Sequence, residues 1–211
     1  VVICLDRAGI VGDDGPTHHG VFDIALHNAI PDLVLMQPKD EAELANMLFT
    51  AVNLGKPVVI RYPRGAGPGA PVPVRLQTLP VGKAEVLKEG DEVQLWALGD
   101  MVPNAQEAAR LLEQQGVAAG VVNVRSIKPF DRELLSAQAA RARVIGVLEN
   151  GSVEGGFGCV VEHFLSDQAL PVKVLHFGWP DEFVPQGNPA ELFKQYGLDA
   201  ASIAASVRKR L

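Results

Sequence analysis

The sequence predicts an α/β fold in two parts that contains parallel β-sheet. Short apolar runs rich in Val, Ile and Leu alternate along the chain with stretches of helical apolar spacing, which is typical of βαβ units. The apolar runs are continuous, as expected for strands that are buried on both faces of a parallel sheet. The segment Gly65–Pro73 is rich in glycine and proline and has the composition of an exposed linker.

The first part of the chain contains predicted strands and helices in alternation. In chain order these are a strand at Val1–Leu5, a helix at Val21–Ala29, a strand at Leu33–Met36, a helix between Asp40 and Gly55, and a strand at Pro57–Ile60. Asp40 is a typical N-cap, and Glu43 follows three residues later as in a capping box. The apolar face of that helix has spacings of three and four, at Leu44, Met47, Leu48 and Val52.

The second part contains predicted strands, helices and a helical tail. The strands are Ala84–Leu87, Glu92–Leu98, Ala119–Val124, Val144–Leu148 and Val172–Phe177, and the helices are Asn104–Gln115, Asp131–Ala142, Gly156–Leu165 and the tail from Pro189. Because only Lys88–Asp91 separates the first two strands, we expect a hairpin-like turn there. The linker predicts a domain boundary that divides the chain into residues 1–75 and 76–211.

Composition and charge argue against two classes of partner. The chain of 211 residues carries a net charge of −6, whereas a general nucleic-acid-binding protein is usually basic. No apolar run approaches the roughly 20 residues that a membrane-spanning helix needs.

Cys4 and Cys159 stand alone in apolar stretches, without metal-like or disulfide-like spacing. We therefore expect two reduced core thiols in a cytoplasmic protein.

The first five residues, Val1–Leu5, read as a buried parallel strand with no polar residue before it. Such a strand rarely begins a sheet without neighbouring strands encoded earlier. We therefore expect this chain to be the C-terminal piece of a longer protein. The alternative is a complete subunit that completes its sheet with a partner chain.

A polar loop follows the first predicted strand, where an α/β fold would place a ligand site. It contains the run Asp13-Asp14-Gly15-Pro16-Thr17-His18-His19-Gly20. Three interpretations stay open. The loop is a solvated surface turn, or His18 transfers a proton while Asp14 orients it or holds a substrate hydroxyl. In the third, a metal binds among the two carboxylates and two imidazoles, although their spacing matches no established metal motif.

Two arginines each follow the carboxyl end of a predicted strand. Arg7 comes after the first strand and Arg64 after the strand at Pro57–Ile60, which places both guanidinium groups on one rim of a sheet. Two such groups suit a phosphate dianion. The alternative is that both pair with local carboxylates such as Asp6. Arg61 lies closer to the strand itself, so we expect a structural role for it.

The glycine-rich segment Gly151–Gly158 lies between a predicted strand and a predicted helix, as a phosphate-binding loop does. It lacks both the P-loop ending and a true G-x-G-x-x-G pattern, which favours a tight strand-to-helix turn. Glu149, at the end of the preceding strand, is a candidate to face a partner domain. Trp96 and Trp179 are expected to be packing residues.

Four segments together resemble a known family. They are Asp6-Arg7-Ala8-Gly9, Asp14-Gly15-Pro16-Thr17-His18-His19-Gly20, Arg61-Tyr62-Pro63-Arg64-Gly65 and Gly178-Trp179-Pro180-Asp181-Glu182-Phe183-Val184-Pro185-Gln186-Gly187. From end to end the chain resembles the 1-deoxy-D-xylulose-5-phosphate synthases, within the transketolase-like thiamine diphosphate enzymes. Transketolase proper is similar around Gly15–His18 but is not expected to carry Arg-Tyr-Pro-Arg-Gly. The β subunits of the 2-oxo-acid dehydrogenases share the architecture with a different histidine loop.

The resemblance implies an architecture of three α/β domains. Residues 1–75 correspond to the later part of the pyrimidine-binding domain with its linker, and residues 76–211 to the smaller C-terminal domain. The cofactors implied are thiamine diphosphate and Mg²⁺. Because the chain has no Gly-Asp-Gly motif with a downstream Asn, most cofactor contacts and the activating Glu are expected before Val1. The N-terminal portion of the same enzyme is thus an implied partner, and a homodimer is the implied assembly.

The resemblance also implies a reaction and residue roles. Pyruvate loses carbon dioxide, and its two-carbon remainder adds to D-glyceraldehyde 3-phosphate, giving 1-deoxy-D-xylulose 5-phosphate, a precursor of isoprenoids, thiamine and pyridoxal. By match to the family motifs, Arg7 and Arg64 bind the acceptor's phosphate and Asp14 its hydroxyl. His18 makes a hydrogen bond or proton transfer at the reacting oxygens, and His19 is a weaker candidate. No metal ligand is assigned within the chain.

Other functions remain open at this stage. A transketolase or a 2-oxo-acid dehydrogenase E1 β-type component is the neighbouring enzymatic alternative. If the chain stands alone, a non-catalytic dimerisation module is a further alternative, and we expect the isolated chain to be inactive as an enzyme.

Overall fold

The computed structural model describes residues 1–211 and has a mixed α/β fold, which confirms the predicted class. The strands are β1 Val2–Leu5, β2 Val34–Met36, β3 Val58–Arg61, β4 Glu85–Lys88, β5 Val93–Ala97, β6 Ala119–Asn123, β7 Ser126–Lys128, β8 Val144–Ser152 and β9 Lys173–Trp179. The helices are α1 Asp23–Asn28, α2 Glu41–Asn53, α3 Val102–Glu113, α4 Arg132–Ala139, α5 Phe157–Asp167, α6 Pro189–Gln195 and α7 Ala200–Arg208. None of these helices has the length and apolar character needed to cross a membrane.

The strands form two sheets. The first has the order β1-β3-β2-β7, in which β1, β3 and β2 are parallel and β7 is antiparallel to β2. The second has the order β4-β6-β5-β8-β9, parallel throughout except for β4. The carboxyl ends of the parallel strands in each sheet therefore meet at one edge, where ligands bind in folds of this kind.

Helix α2 begins where the sequence predicts. The Asp40 side chain accepts a hydrogen bond from the Glu43 backbone N–H (2.7 Å), and the Glu43 carboxylate returns to the Lys39 backbone N–H (2.7 Å). The first turn is thus closed reciprocally, as in a capping box shifted by one residue. This cap fixes the start of α2 shortly after the end of β2.

The apolar core has separate clusters on the two faces of the second sheet. Along β5, Leu95 packs in the cluster beneath α3 and α7, whereas Trp96 packs in the cluster beneath α4 and α5. The second of these clusters continues into the first sheet through Leu35 and Val59. Successive residues of a strand point to opposite faces, so the continuous apolar run of β5 reflects burial on both sides.

The predicted hairpin between β4 and β5 is wrong. β4 pairs antiparallel with β6, and β5 lies between β6 and β8. Because β5 has a parallel partner on each edge, no edge remains for β4. The turn before β5 instead crosses β6 at close range, where a Cβ on Gly90 would lie 2.1 Å from the Gly120 nitrogen.

Strand β1 is less buried than its apolar sequence predicts. It is the end strand of the first sheet, with β3 on one side only. Ile3 is 43% exposed, Cys4 is also exposed and Cys159 is only half-buried, so the expectation of two core thiols is wrong. The apolar run correctly predicted a parallel strand, but its position at a sheet edge leaves one side of it open.

Strand β7 connects the two halves of the chain and was not predicted. It comes from the second half but completes the first sheet, and Lys128 donates hydrogen bonds to the carbonyls of Asn28 and Ile30 (both 2.7 Å). Just before it, Arg125 donates to the buried Glu43 carboxylate (2.6 Å). A strand of three residues is too short for a periodic signal. The boundary between residues 75 and 76 stays a prediction.

The buried Arg61 guanidinium joins the two sheets. It donates to both oxygens of Asp23 (3.1 and 3.0 Å), to the side-chain oxygen of Gln37 (2.6 Å) and to the backbone carbonyls of Gly20 and Asn150 (3.0 Å each). The Arg61 side chain is 0% exposed. A buried charge of this kind persists only when its donors are satisfied, which supports the structural role expected for Arg61.

Replacing Arg61 by methionine tests this connection. Arg61→Met keeps much of the volume but leaves the Asp23 carboxylate without its guanidinium, so the free energy of unfolding should fall by about 3–5 kcal/mol in urea denaturation. The matched control is Arg110→Met, because Arg110 forms an exposed pair with Glu107 and should change stability little. Equal stability of the two variants would show that the Arg61 network contributes nothing.

Candidate functional site

The candidate site lies where β1 and β3 end. These strands are parallel neighbours with Leu5 opposite Arg61, so the residues that follow them share one rim of the first sheet. Arg7 follows β1 and Arg64 follows β3. The rim expected from the sequence is therefore the place where the structure puts both arginines.

Asp14 brings the two arginines together. Its Oδ2 lies 4.0 Å from Arg7 Nε and accepts a hydrogen bond from Arg64 Nη1 across 50 residues of sequence. Arg7 also pairs with Asp6 (2.8 Å). Both guanidinium groups thus contact carboxylates of the chain, the alternative left open by the sequence. The side chains of Arg7, Asp14 and Arg64 are 41%, 30% and 52% exposed, which leaves them accessible to an anion from solvent.

The backbone around Arg7 is held in an unusual conformation. Arg7 has φ +59°, a region that residues with a Cβ rarely adopt. Gly20 donates its N–H to the Arg7 carbonyl (3.0 Å), and a Cβ on Gly20 would lie 2.3 Å from that oxygen. We call residues 8–20 the site loop. Its last residue must be glycine because the loop closes against Arg7 at this distance.

His18 lies on the exposed side of the site loop, apart from the arginine pair. Its Nδ1 lies 3.0 Å from the Thr17 hydroxyl, and it forms no hydrogen bond or ion pair with Arg7, Asp14 or Arg64. The structure thus brings three of the four candidate side chains into one cluster. It leaves the His18 ring outside that cluster and exposed to solvent.

His19 is buried and holds the site loop from inside. The Val11 N–H donates to its Nδ1 (3.1 Å), so the ring proton is on Nε2, which lies 3.4 Å from the Pro185 carbonyl oxygen. Burial lowers the pKa of His19, which keeps the ring neutral near pH 7. Gly187 adds a backbone hydrogen bond to the Gly12 carbonyl (3.3 Å). The second half of the chain therefore supports the loop.

The chain holds no group of three or more His, Cys, Asp or Glu side chains arranged to bind a metal ion. His18 and His19 are neighbours in sequence, but their rings have different partners and do not point to a common site. His19 has both ring nitrogens engaged by backbone groups, and His18 points its Nδ1 at Thr17. The four acidic and imidazole side chains of residues 13–19 thus do not converge on one point.

The glycine-rich segment after Glu149 is a strand-to-helix turn, as favoured from its sequence. Gly151 and Ser152 still belong to β8, and α5 begins at Phe157. The Glu149 carboxylate accepts hydrogen bonds from the N–H groups of Phe157 and Gly158 (2.8 Å each). A side chain of the protein thus occupies the helix N-terminus that a phosphate would use.

Glu149 points inward, with its carboxylate at the N-terminus of α5 and within reach of the Arg61 charge in the first part of the chain. It is 1% exposed, and burial raises its pKa to about 7 even though the two N–H groups and Arg61 favour its charged form. Sequence reasoning missed this inward orientation. One sequence signal could have indicated it: a carboxylate precedes a glycine-rich turn that offers no other side chain to cap the helix after it.

The two halves of the chain match separate family models. The model described as "Transketolase, pyrimidine binding domain" matches residues 1–69. The model described as "Transketolase, C-terminal domain" matches residues 82–203, more than half of the chain.

The chain belongs to the transketolase family.

Two curated relatives that are similar to this chain carry the same enzyme name. "1-Deoxy-D-xylulose-5-phosphate synthase 1" of Geobacter sulfurreducens is 48% identical over 98% of this chain and 32% of that protein. "1-Deoxy-D-xylulose-5-phosphate synthase" of Methylacidiphilum infernorum is 46% identical over 94% of this chain and 31% of that protein. The chain therefore spans about a third of the length of these relatives and resembles their C-terminal portion.

Solved transketolase structures share the fold. One titled "Split gene transketolase, inactive beta4 tetramer" is 36% identical with a TM-score of 0.89, over 100% of this chain and 67% of that chain. Transketolase from Campylobacter jejuni is 20% identical with a TM-score of 0.76, over 99% of this chain and 31% of that chain. At that lower identity the likeness concerns the fold alone.

The raised pKa of Glu149 predicts a pH-dependent contribution to stability. The Glu149 carboxyl keeps its proton up to about pH 7 in the folded state but releases it near pH 4.5 in the unfolded state. Its contribution to the free energy of unfolding is therefore complete below pH 4.5 and is lost as the pH rises through 7. In Glu149→Gln that dependence disappears. The difference in free energy of unfolding between the original protein and the variant should thus decline by roughly 3 kcal/mol from pH 4 to pH 8.

Chemical denaturation across this pH range measures the effect. Glu154→Gln is the matched control, since Glu154 lies in the same turn but is exposed. It should retain the original pH dependence. A Glu149→Gln profile parallel to that of the original protein would contradict the assignment.

Proposed function

We propose that this chain is the C-terminal portion of a 1-deoxy-D-xylulose-5-phosphate synthase. The reaction is the decarboxylative condensation of pyruvate with D-glyceraldehyde 3-phosphate, and this chain supplies the acceptor-binding side. The observation that carries the proposal is the convergence of Arg7 and Arg64 on Asp14 at the carboxyl rim of parallel strands. The names of the relatives that share nearly half of its residues support the same reaction.

The two arginines are proposed to bind the acceptor's phosphate. Their guanidinium groups follow two separate strands, are both partly exposed, and share one carboxylate. A phosphate dianion offers more charge and more acceptor oxygens than that single carboxylate. The phosphate would therefore take over the N–H donors of Arg7 and Arg64 and free an oxygen of Asp14.

Asp14 and His18 are proposed to act on the oxygens of the acceptor. The freed Asp14 oxygen can accept a hydrogen bond from the hydroxyl next to the aldehyde. His18 has its Nδ1 beside Thr17, and its Nε2 has no partner in the chain. That nitrogen can thus donate or accept a proton at the reacting oxygen, as a general acid or base.

The cofactor requirement is proposed to be met mainly by residues outside this chain. Thiamine diphosphate supplies the carbanion chemistry, which belongs to the cofactor rather than to the protein. The transketolase-family match supports its use. The chain has no group of three or more His, Cys, Asp or Glu side chains that could hold Mg²⁺, and we propose that the N-terminal portion of the enzyme binds it.

Assembly and location complete the proposal. A chain that spans a third of its relatives needs the N-terminal portion of the enzyme for turnover. The related structure titled as an inactive β4 tetramer of a split-gene transketolase supports inactivity of this portion alone. We propose a homodimer of the complete enzyme, located in the cytoplasm.

The test is to assay the chain alone and joined to its N-terminal portion. With pyruvate and glyceraldehyde 3-phosphate, the complete protein should release carbon dioxide and form 1-deoxy-D-xylulose 5-phosphate, whereas the chain alone should not. Consumption of a ketose phosphate without carbon dioxide release would indicate a transketolase instead. Acyl transfer to lipoamide would indicate a 2-oxo-acid dehydrogenase component. A complete protein that only dimerises would indicate an assembly module.

Arg64→Ala tests the phosphate assignment in the complete enzyme. Hydrogen bonds to charged groups contribute about 1.5–3 kcal/mol, so KM for glyceraldehyde 3-phosphate should rise roughly 10- to 100-fold while KM for pyruvate stays unchanged. Arg75→Ala is the control, because Arg75 is an exposed arginine without an ion pair. An equal rise in KM for both substrates would refute a phosphate-specific role.

His18→Ala tests proton transfer. General acid–base catalysis contributes about 10²- to 10⁴-fold, so kcat should fall at least about 100-fold in steady-state assays. His163→Ala is the control, because His163 is an exposed histidine of α5 distant from the loop in sequence. An unchanged kcat in His18→Ala would return His18 to the role of a solvated surface residue.

A further inference from the structure

The site loop is closed at its base by its own backbone. Gly9 and Gly20 exchange two hydrogen bonds, from Gly9 N–H to the Gly20 carbonyl (2.9 Å) and from Gly20 N–H to the Gly9 carbonyl (2.8 Å). Arg7 precedes this closure directly, and Asp14 and His18 lie within the loop. Whatever fixes the base therefore also fixes where these side chains lie.

Asn150 is the buried side chain of β8 that contacts this base. Its Oδ1 accepts a hydrogen bond from the Ile10 N–H (3.1 Å), 140 residues away in sequence, and a second from Trp179 Nε1 (2.7 Å). Asn150 is 2% exposed. Through this single oxygen atom, the loop is connected to β8 and β9 of the second sheet.

The chain passes the Asn150 carboxamide at a distance that only glycine permits. A Cβ on Gly9 would lie 2.0 Å from Asn150 Cγ and 2.1 to 2.3 Å from its amide nitrogen and oxygen. Gly9 also has φ +75°. The backbone of residues 9 and 10 therefore rests directly on the carboxamide, and a shift of that group has to move the loop.

Asp100 fixes which way the carboxamide faces. Asn150 Nδ2 donates to Asp100 Oδ2 (2.6 Å), and the other oxygen of Asp100 accepts from Gln37 Nε2 (3.1 Å). A reversed amide would place its NH₂ group against the donors of Ile10 and Trp179. The orientation in which oxygen meets the loop is thus the one that satisfies every partner.

We propose that Asn150 is a positioning residue for the acceptor site. It holds the base of the site loop against the second sheet, and so places Arg7 and Asp14 on the same rim as Arg64, within reach of it. The term acceptor site rests on the proposed function, whereas the contact between Asn150 and the loop does not. Asn150 itself touches no substrate in this proposal.

A pair of substitutions in the complete enzyme tests the proposal. Asn150→Asp removes the Nδ2 donor and places the new carboxylate in contact with that of Asp100. Repulsion between the two carboxylates should displace the side chain at position 150 and, with it, the base of the loop. A small misplacement of binding groups has large kinetic effects, so we expect KM for glyceraldehyde 3-phosphate to rise about 10-fold or more. KM for pyruvate should change by less than about 2-fold.

The double variant Asp100→Asn, Asn150→Asp is the rescue. It exchanges donor and acceptor across the same contact, and the new amide at position 100 still offers an oxygen to Gln37. The new carboxylate at position 150 still accepts from Ile10 and Trp179. Most of the lost acceptor affinity should therefore return. If KM for glyceraldehyde 3-phosphate is no lower in the double variant than in Asn150→Asp, the proposal is overturned. The two substitutions would then act independently, and the contact between positions 100 and 150 would not set the affinity.

Gln138→Glu is the matched structural control. Gln138 is a buried amide whose Oε1 accepts from Trp96 Nε1 (2.7 Å), as Asn150 accepts from Trp179, but it lies on α4 and its side chain forms no hydrogen bond with the loop. It should lower thermal stability and leave both KM values unchanged. An equal rise of the acceptor KM in Gln138→Glu would overturn the proposal, because it would make the effect one of general stability.

Hydrogen exchange separates this proposal from the proposed function. In substrate-free complete protein, the Ile10 amide should exchange at least about 10-fold faster in Asn150→Asp than in Gln138→Glu, with recovery in the double variant. This readout needs no enzymatic activity, so it decides the positioning role even if the protein makes no deoxyxylulose phosphate. Unchanged exchange at Ile10 would overturn the proposal whatever the kinetics show.

Discussion

The buried guanidinium of Arg61 is the interaction on which the relative placement of the two sheets depends. Its N–H groups are shared among α1, the end of β2, the last residue of the site loop and β8. A buried cation stripped of its acceptors is strongly destabilising, so these elements have to be in place together. The position of the candidate site is therefore a consequence of a charge that the chain cannot leave unpaired.

Much of the fold was predictable because its signals are local. The N-cap at Asp40 and the apolar runs of β3 and β5 predicted elements within a few residues of their observed bounds. The hairpin failed because strand pairing is decided by which edges are free, and β5 has none. The strand β7 escaped because its three residues are placed by the partner strand β2 rather than by their own pattern.

The candidate site was predictable to the extent that it follows from strand ends. Arg7 and Arg64 share a rim because β1 and β3 are parallel; the apolar runs predicted parallel strands, whereas the structure shows that these two are neighbours. The contact of Arg64 with Asp14 and that of Ile10 with Asn150 span 50 and 140 residues, and no local pattern encodes them. The difference between neighbouring His18 and His19, one exposed and one buried, likewise arises from the distant segment at Pro185.

The pairing of β7 with β2 constrains how this chain can acquire its structure during synthesis. The first sheet is encoded by residues 2–61 except for its last strand, which lies at residues 126–128. While the ribosome is still producing the intervening segment, the outer edge of β2 has no strand to pair with. The first half therefore emerges as an incomplete sheet whose open edge is a site for mispairing until the second half arrives. The two halves are separate in sequence but interdependent in their order of folding.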